Sequence, residues 1–210
     1  MFLSKKADMG IGTLIIFIAM ILVAAIAAGV LIQTGTSLQN RALLTGDRAR
    51  SQVSTHLNTL SLYAVDGANG TVEHFRHKVK LSPGSEPLSM SPEGGVLLSF
   101  DTDTLAADYT FLDAPCQPDS NGDGSAGDGY FFNSSNHMGS FTVNYHVKGR
   151  NHRSGYIVRG DILELCFMAP APIPENKEIM VTFTPLRGTP MMLRTTTPHI
   201  MIEERVYIFP

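Results

Sequence analysis

From Gly10 to Ile32 the chain runs for 23 residues without a charge, GIGTLIIFIAMILVAAIAAGVLI, with apolar side chains at nearly every position rather than on one face. At about 1.5 Å per residue a helix of this length reaches roughly 35 Å, enough to cross the ~30 Å hydrocarbon core of a bilayer. After Gln33 the pattern becomes one-sided. Leu31, Leu38, Ala42, Ala49, Val53, Leu57 and Leu60 recur at helical spacing, while Gln39, Arg41, Asp47, Arg50, Gln52 and His56 take other positions. That periodicity predicts one buried helix stripe. A single helix from Gly10 to about Asn58 would be roughly 70 Å long, with its second half outside the membrane. Gly35 and Gly46 each cost about 1 kcal/mol relative to Ala and mark candidate bends.

Beyond Leu60 the period drops to two in TVEHFRHKVKL, GVLLSFDT, SFTVNYHVKG, GYIVRGDILELCF, KEIMVTFTPL and MMLRTTTP. Gly, Pro, Asn and Asp clusters separate these stretches at the spacing of a sandwich or barrel. The expected fold class is α+β: a long N-terminal hydrophobic helix, then an all-β head of seven to nine antiparallel strands.

Three readings compete for the apolar segment. Ala25-Ile26-Ala27 offers an A-x-A-like cleavage site behind a basic start, as in a secretory signal, although the helical pattern continues past it. A permanent anchor fits equally well, and Lys5 and Lys6 place the first residues in the cytoplasm and the bulk of the chain outside. The third reading takes its cue from Ala24/Ala28 and Ala25/Gly29, spaced so that other helices can approach closely. A rod apolar on every side can be solvated by lipid or by copies of itself, and so can move from a bilayer to the dry centre of a polymer.

Composition narrows the partners. The 210 residues carry a net charge of −3, which argues against the polybasic face that nucleic acid requires. With about 55 residues assigned to the helix, the rest matches a single domain. No GxSxG or P-loop occurs, and the chain is expected not to be an enzyme. Glu73, His74 and His77 sit in an alternating stretch, where residues three apart face opposite ways, so a metal site there is unfavoured. The remaining histidines are expected at the surface.

Three features remain on the head. DSNGDGSAGDGY, residues 119–130, places Asp119, Asn121 and Asp123 at alternate positions before Gly124, like the first half of an EF-hand loop. Tyr130 stands where the bidentate Glu would be, leaving Asp128 or a distant residue to complete a calcium shell; the alternative is an acidic Gly-rich surface loop. Cys116 precedes this loop and Cys166 lies in an expected strand; they form either a disulfide or one buried and one exposed thiol. Asn69-Gly70-Thr71 and Asn133-Ser134-Ser135 match the N-glycan acceptor pattern in expected surface loops.

The stretch KKADMGIGTLIIFIAMILVAAIAAGVLIQTGTSLQ resembles the N-terminus of archaeal flagellins (archaellins), within the type IV pilin-like superfamily. RGDILELCFMAPAPIPENKEIMVTFTPLRGTPMMLRTTTP and the terminal VYIFP resemble that family's closing strands. The likeness is close over about residues 5–60 and 158–210. It implies a lollipop-shaped filament subunit with a leader at 1–7, the helix at 8–58 and a β-sandwich outer domain at 59–210. It implies cleavage between Ala7 and Asp8 by a prepilin-like peptidase, with Lys5 and Lys6 in the leader and Gly10 third in the mature chain. Ala7 departs from the Gly usual in the family, and Gly12 stands where many bacterial pilins have Glu. The implied assembly core comprises Gly10, Ile11, Gly12, Leu14, Phe17, Ala24, Ala25, Ala28 and Gly29. The precursor would be membrane-inserted, and the product an extracellular homo-oligomeric filament used for swimming, served by a membrane platform protein and an assembly and motor ATPase. The family sometimes carries a metal in the outer domain and is often N-glycosylated. An adhesive pilin and a secreted β-sandwich binding domain are the alternatives.

Overall fold

The computed structural model describes residues 3–91, 96–121, 129–133 and 135–210. It divides into two compact units, Met1–Ala49 and Arg50–Pro210. Most of the first unit is the helix α1, Leu3–Ser54, which is continuous through Gly35 and Gly46. No proline interrupts it, and its Ala, Leu, Ile and Met content favours helix. Its threonine hydroxyls donate back to carbonyls one turn earlier: Thr13 to Gly10, Thr34 to Leu31, Thr36 to Ile32 and Thr45 to Arg41, at 2.8–3.0 Å.

α1 stops four residues before the expected end near Asn58. The Ser85 hydroxyl donates to the Ser54 carbonyl and accepts from the His56 amide, and the Thr189 amide donates to the Thr55 carbonyl. These tertiary bonds take up the last helical carbonyls, so the helix has somewhere to end. Leu57 and Leu60, assigned by periodicity to the helix stripe, instead begin strand β1, Leu57–Ala64. Gly188 makes the approach to Thr55 possible. Its φ is +112°, and a Cβ there would lie 2.4 Å from the Thr55 carbonyl oxygen.

The second unit is mostly β. After β1 come β2 (Thr71–Leu81), β3 (Leu88–Ser89), β4 (Leu97–Thr102), β5 (Ala106–Phe111) and β6 (Phe132–Asn133). There follow β7 (Met138–Val147), β8 (Tyr156–Ile157), β9 (Ile162–Pro174), β10 (Glu178–Thr184), β11 (Met191–Thr196) and β12 (Val206–Phe209). One sheet runs β11-β10-β4-β5-β7-β9-β2-β1-β12, with β6 added on β7; β3 and β8 pair separately. It is rolled like a barrel, because Thr195 of β11 donates to the Ile208 carbonyl of β12.

The twelve strands among the described residues exceed the seven to nine expected, and not all pairs are antiparallel. β5 and β7 are parallel, with Asp108 opposite Met138 and Phe111 opposite Phe141. A parallel pair needs a long crossover, and residues 112–137, which include Cys116 and the Gly/Asp-rich segment, supply it.

Inside the roll, the ring centroids of Phe75, Phe100 and Phe167 lie 5.1–5.7 Å apart, and Tyr109 packs 5.6 Å from Phe167. Gly139 lets β7 close against Tyr109, since a Cβ there would sit 2.4 Å from its ring.

His77 on β2 lies in this core, fully buried; its Nε2 is 3.1 Å from the Thr59 hydroxyl and its Nδ1 has no hydrogen-bond partner. Burial pulls its pKa down from 6.5 to about 3. Below pH 6.5 the unfolded chain therefore takes a proton that the folded chain refuses until about pH 3. Stability falls across that window as pH drops, by up to about 1.4 kcal/mol per pH unit from this group. Chemical denaturation of the wild type and His77→Leu between pH 7 and 3 is expected to show the wild type losing stability more steeply. Parallel pH curves would exclude the effect.

Candidate assembly surface

Every residue of α1 from Gly10 to Arg50 is exposed in the single chain. Ile16, Phe17, Met20, Leu31 and Ile32 each keep more than 60% of their surface accessible. Burying one such side chain is worth about 1.5–3 kcal/mol, so a rod carrying so many of them in water is strongly unfavourable. The expected stripe of Leu31, Leu38, Ala42, Ala49 and Val53 is likewise exposed rather than buried. The helix is long and apolar enough to cross a membrane.

The expected core positions Gly10, Ile11, Gly12, Leu14, Phe17, Ala24, Ala25, Ala28 and Gly29 all lie on this rod, exposed. A Cβ on Gly10, Gly12 or Gly29 would meet nothing within 4 Å. These glycines relieve no crowding within the chain. Together with Ala24, Ala25 and Ala28 they leave shallow surface that another helix can approach closely. The back-bonded threonine hydroxyls give the rod donors that are already satisfied without water. The expected cleavage-site residues Lys5, Lys6, Ala7 and Asp8 fall in the helical backbone of α1, and their side chains lie outside the described residues.

On the head, Cys116 and Cys166 are joined in a disulfide with Cα atoms 5.7 Å apart, which pins the crossover to β9. Glu164 lies within 4.8 Å of both sulfurs, but a disulfide has no thiolate to offer a metal. Of the calcium candidates, Asp119 is half-buried and Asn121 exposed, with the Asn121 amide 2.9 Å from Asp119 Oδ1; Asp123 and Asp128 lie outside the described residues. The segment is held at its base, where the Asp119 amide donates to the Tyr130 carbonyl and the Tyr130 amide to that of Gln117. Asn69 is exposed in a 3-10 turn, Gly67–Asn69. Asn133 is exposed too, in β6 rather than in the expected loop; Ser134 lies outside the described residues.

Sequence reasoning missed a buried polar group. Glu164, in the run ILELCF of β9, accepts a hydrogen bond from the Tyr63 hydroxyl and pairs with Arg76 at 3.4 Å and Lys78 at 3.9 Å. Burial, then the bond to Glu164, pushes the Tyr63 hydroxyl up to about 12. The signal was an acid flanked by leucines in a strand, with two cations on the neighbouring strand. His152 departs from the surface role expected of it: half-buried, it sits 3.3 Å from the buried Asp161 and edge-on to Tyr145.

An uncovered apolar rod joined to a β-rich head, with no catalytic cluster found among the described residues, defines a structural subunit built for assembly. The family model for archaeal-type flagellin matches residues 7–195. Flagellin B1 of Methanocaldococcus jannaschii is 33% identical over 201 residues, covering 92% of this chain and 91% of that one. This chain therefore belongs to the archaeal-type flagellin family, a family of structural proteins. Flagellin B1 of Thermoplasma volcanium is 37% identical over 113 residues, 51% of this chain. The matched stretch spans about half the length of some curated relatives: 44% of that protein and 58% of flagellin B2 of Halobacterium salinarum. The fold resembles the archaeal flagellum of Methanospirillum hungatei, with a TM-score of 0.65 at 12% identity over 96% of this chain and 99% of that one.

Proposed function

We propose that this chain is a structural subunit of the archaellum filament and serves swimming motility. The observation that carries the reading is the helix from Gly10 to Ile32, exposed on every side although apolar on every side. In this reading the precursor waits in the membrane with Lys5 and Lys6 in the cytoplasm. A prepilin-like peptidase cuts between Ala7 and Asp8. A membrane platform protein and an ATPase then lift subunits into the base of the filament, where lipid around the rod is exchanged for sister rods. The exchange costs little, because both surroundings are apolar and the threonine hydroxyls need no new partners. The heads form the outer sheath, exposed outside the cell, with Asn69 and Asn133 as glycan acceptors.

Intact mass of protein sheared from cells tests the processing step. A mature chain beginning at Asp8, with any glycan read as added mass, is the expected result. A chain beginning at Ala28 would mark an ordinary secretory signal, remove most of the rod and overturn the reading.

A further inference from the structure

The two ends of the rolled sheet differ in surface chemistry. Where β1 starts, the loops after β2, β7 and β10 enclose a groove of about 230 Å³ lined by Thr55, Glu86, Leu88, Tyr156, Leu186 and Arg187, among others. Leu186 is 67% exposed. Two guanidinium groups edge it, offset in charge by the exposed carboxylate of Glu86 in the same lining: Arg187 lines the groove, exposed, and Arg153 lies 4.1 Å over the Tyr156 ring. Neither Arg187 nor Arg153 is in an ion pair among the described residues.

At the other end, residues 197–205 join β11 to β12 as a braced knob. Ile200 and Ile202 point outward, 71% and 76% exposed, while Met201 between them is buried. The Met201 amide donates to Glu175 Oε1 at 2.7 Å, and the Gly67 amide to the Glu204 carbonyl at 3.1 Å. Glu203 and Glu204 follow, exposed and without an ion pair among the described residues. The knob thus presents two isoleucines beside two carboxylates, with the exposed Arg205 that follows them turned 5.2 Å over the Tyr63 ring; the groove is partly apolar and edged by guanidinium groups.

One head cannot bring the two together. β11 runs from Met191 at the groove end to Thr196 at the knob end, and β10 runs the opposite way across the same span, so roughly 20 Å of strand separates them. We propose that the knob of one head, Ile200 and Ile202 with Glu203 and Glu204, docks in the groove of a second copy of this chain, beside Leu186, Tyr156 and Arg187. Such a contact uses different patches on the two partners, so it repeats without closing and generates a helical array. The carboxylates and guanidinium groups set the register, and the isoleucines supply apolar area. The proposal rests on the filament reading and names the contact that would order the sheath.

The test uses the full chain in cells that assemble it. In Leu186→Cys/Ile202→Cys filaments, mild oxidation is expected to give a ladder of dimers, trimers and longer species on non-reducing gels, whereas either single variant, with no cysteine opposite it at this contact, stays monomeric. Arg187→Glu, and separately Glu203→Lys with Glu204→Lys, should each lower filament yield at least about tenfold. Combining the three reversals should restore it, with unchanged melting temperatures showing that the heads fold. Filaments without a ladder, normal yield from each reversal, or no rescue in the combination would overturn the proposal. So would vesicles rich in phosphatidylglycerol binding the wild type but not Arg187→Glu while filaments form normally, since the groove would then serve a lipid. If the wild type makes no filaments, it is the filament reading that fails.

Discussion

Cells carrying Ala25→Asp should shed no filaments, while immunoblots still detect the chain. Ala25 lies mid-rod, among the small residues that leave surface free for another helix. A carboxylate there costs about 2.5–3.5 kcal/mol at a bilayer centre on insertion scales, and in a dry polymer core the penalty recurs with every subunit added. A partial loss per contact thus becomes a complete loss of polymer. Ala25→Ser is the control: its hydroxyl can bond back to the preceding turn, as Thr13, Thr34, Thr36 and Thr45 do, and filaments should persist at reduced yield. Electron microscopy of sheared material reads both outcomes. Normal filaments from Ala25→Asp would mean that the middle of the rod does not lie in a dry core.

The second large effect is on the head. Cys116 and Cys166 are 50 residues apart in sequence, and chain entropy assigns about 4 kcal/mol to closing a loop of that size. For a protein of this length each kcal/mol moves the melting temperature by about 2–4 °C, so Cys116→Ala/Cys166→Ala should melt roughly 8–16 °C lower. The loss should show in calorimetry of intact filaments, and reductant should shift the wild type but not the variant. A wild type that melts at the same temperature with and without reductant would show that the bridge does not hold the crossover.

Much of this fold was legible because its periods are strong. The uncharged run from Gly10 to Ile32 admits only helix at that length, and KEIMVTFTPL alternates so cleanly that β10 follows from it. The helix end was not legible. Leu57 and Leu60 fit both a period of 3.6 and one of two, and the choice fell to the distant partners Ser85 and Thr189, which no local pattern contains. β5 was overlooked because two of its inward positions are the modest Ala107 and an aromatic, Tyr109, inside the Asp-bearing stretch AADYTF. Its parallel pairing with β7 is a long-range property that a single strand does not encode.

The candidate site divides in the same way. The rod's chemistry was plain from composition, since a surface greasy all round has no monomeric use in water. The knob and groove were invisible, because Ile200, Ile202, Leu186 and Arg187 lie in short links between strands, and only the rolled sheet sets them at opposite ends. Glu164 was passed over because an acid between leucines reads as an isolated irregularity until Arg76 and Lys78 are seen on the adjacent strand.

The pairing of β1 with β12 bears on the timing of biogenesis. One edge of β1 has no neighbour until residues 206–209 have left the ribosome, whereas the rod emerges first and can enter the membrane while translation continues. On the proposed membrane route, delivery would therefore precede maturation. A nascent chain stalled before residue 206 should be membrane-bound yet protease-sensitive throughout its head, acquiring resistance only on release.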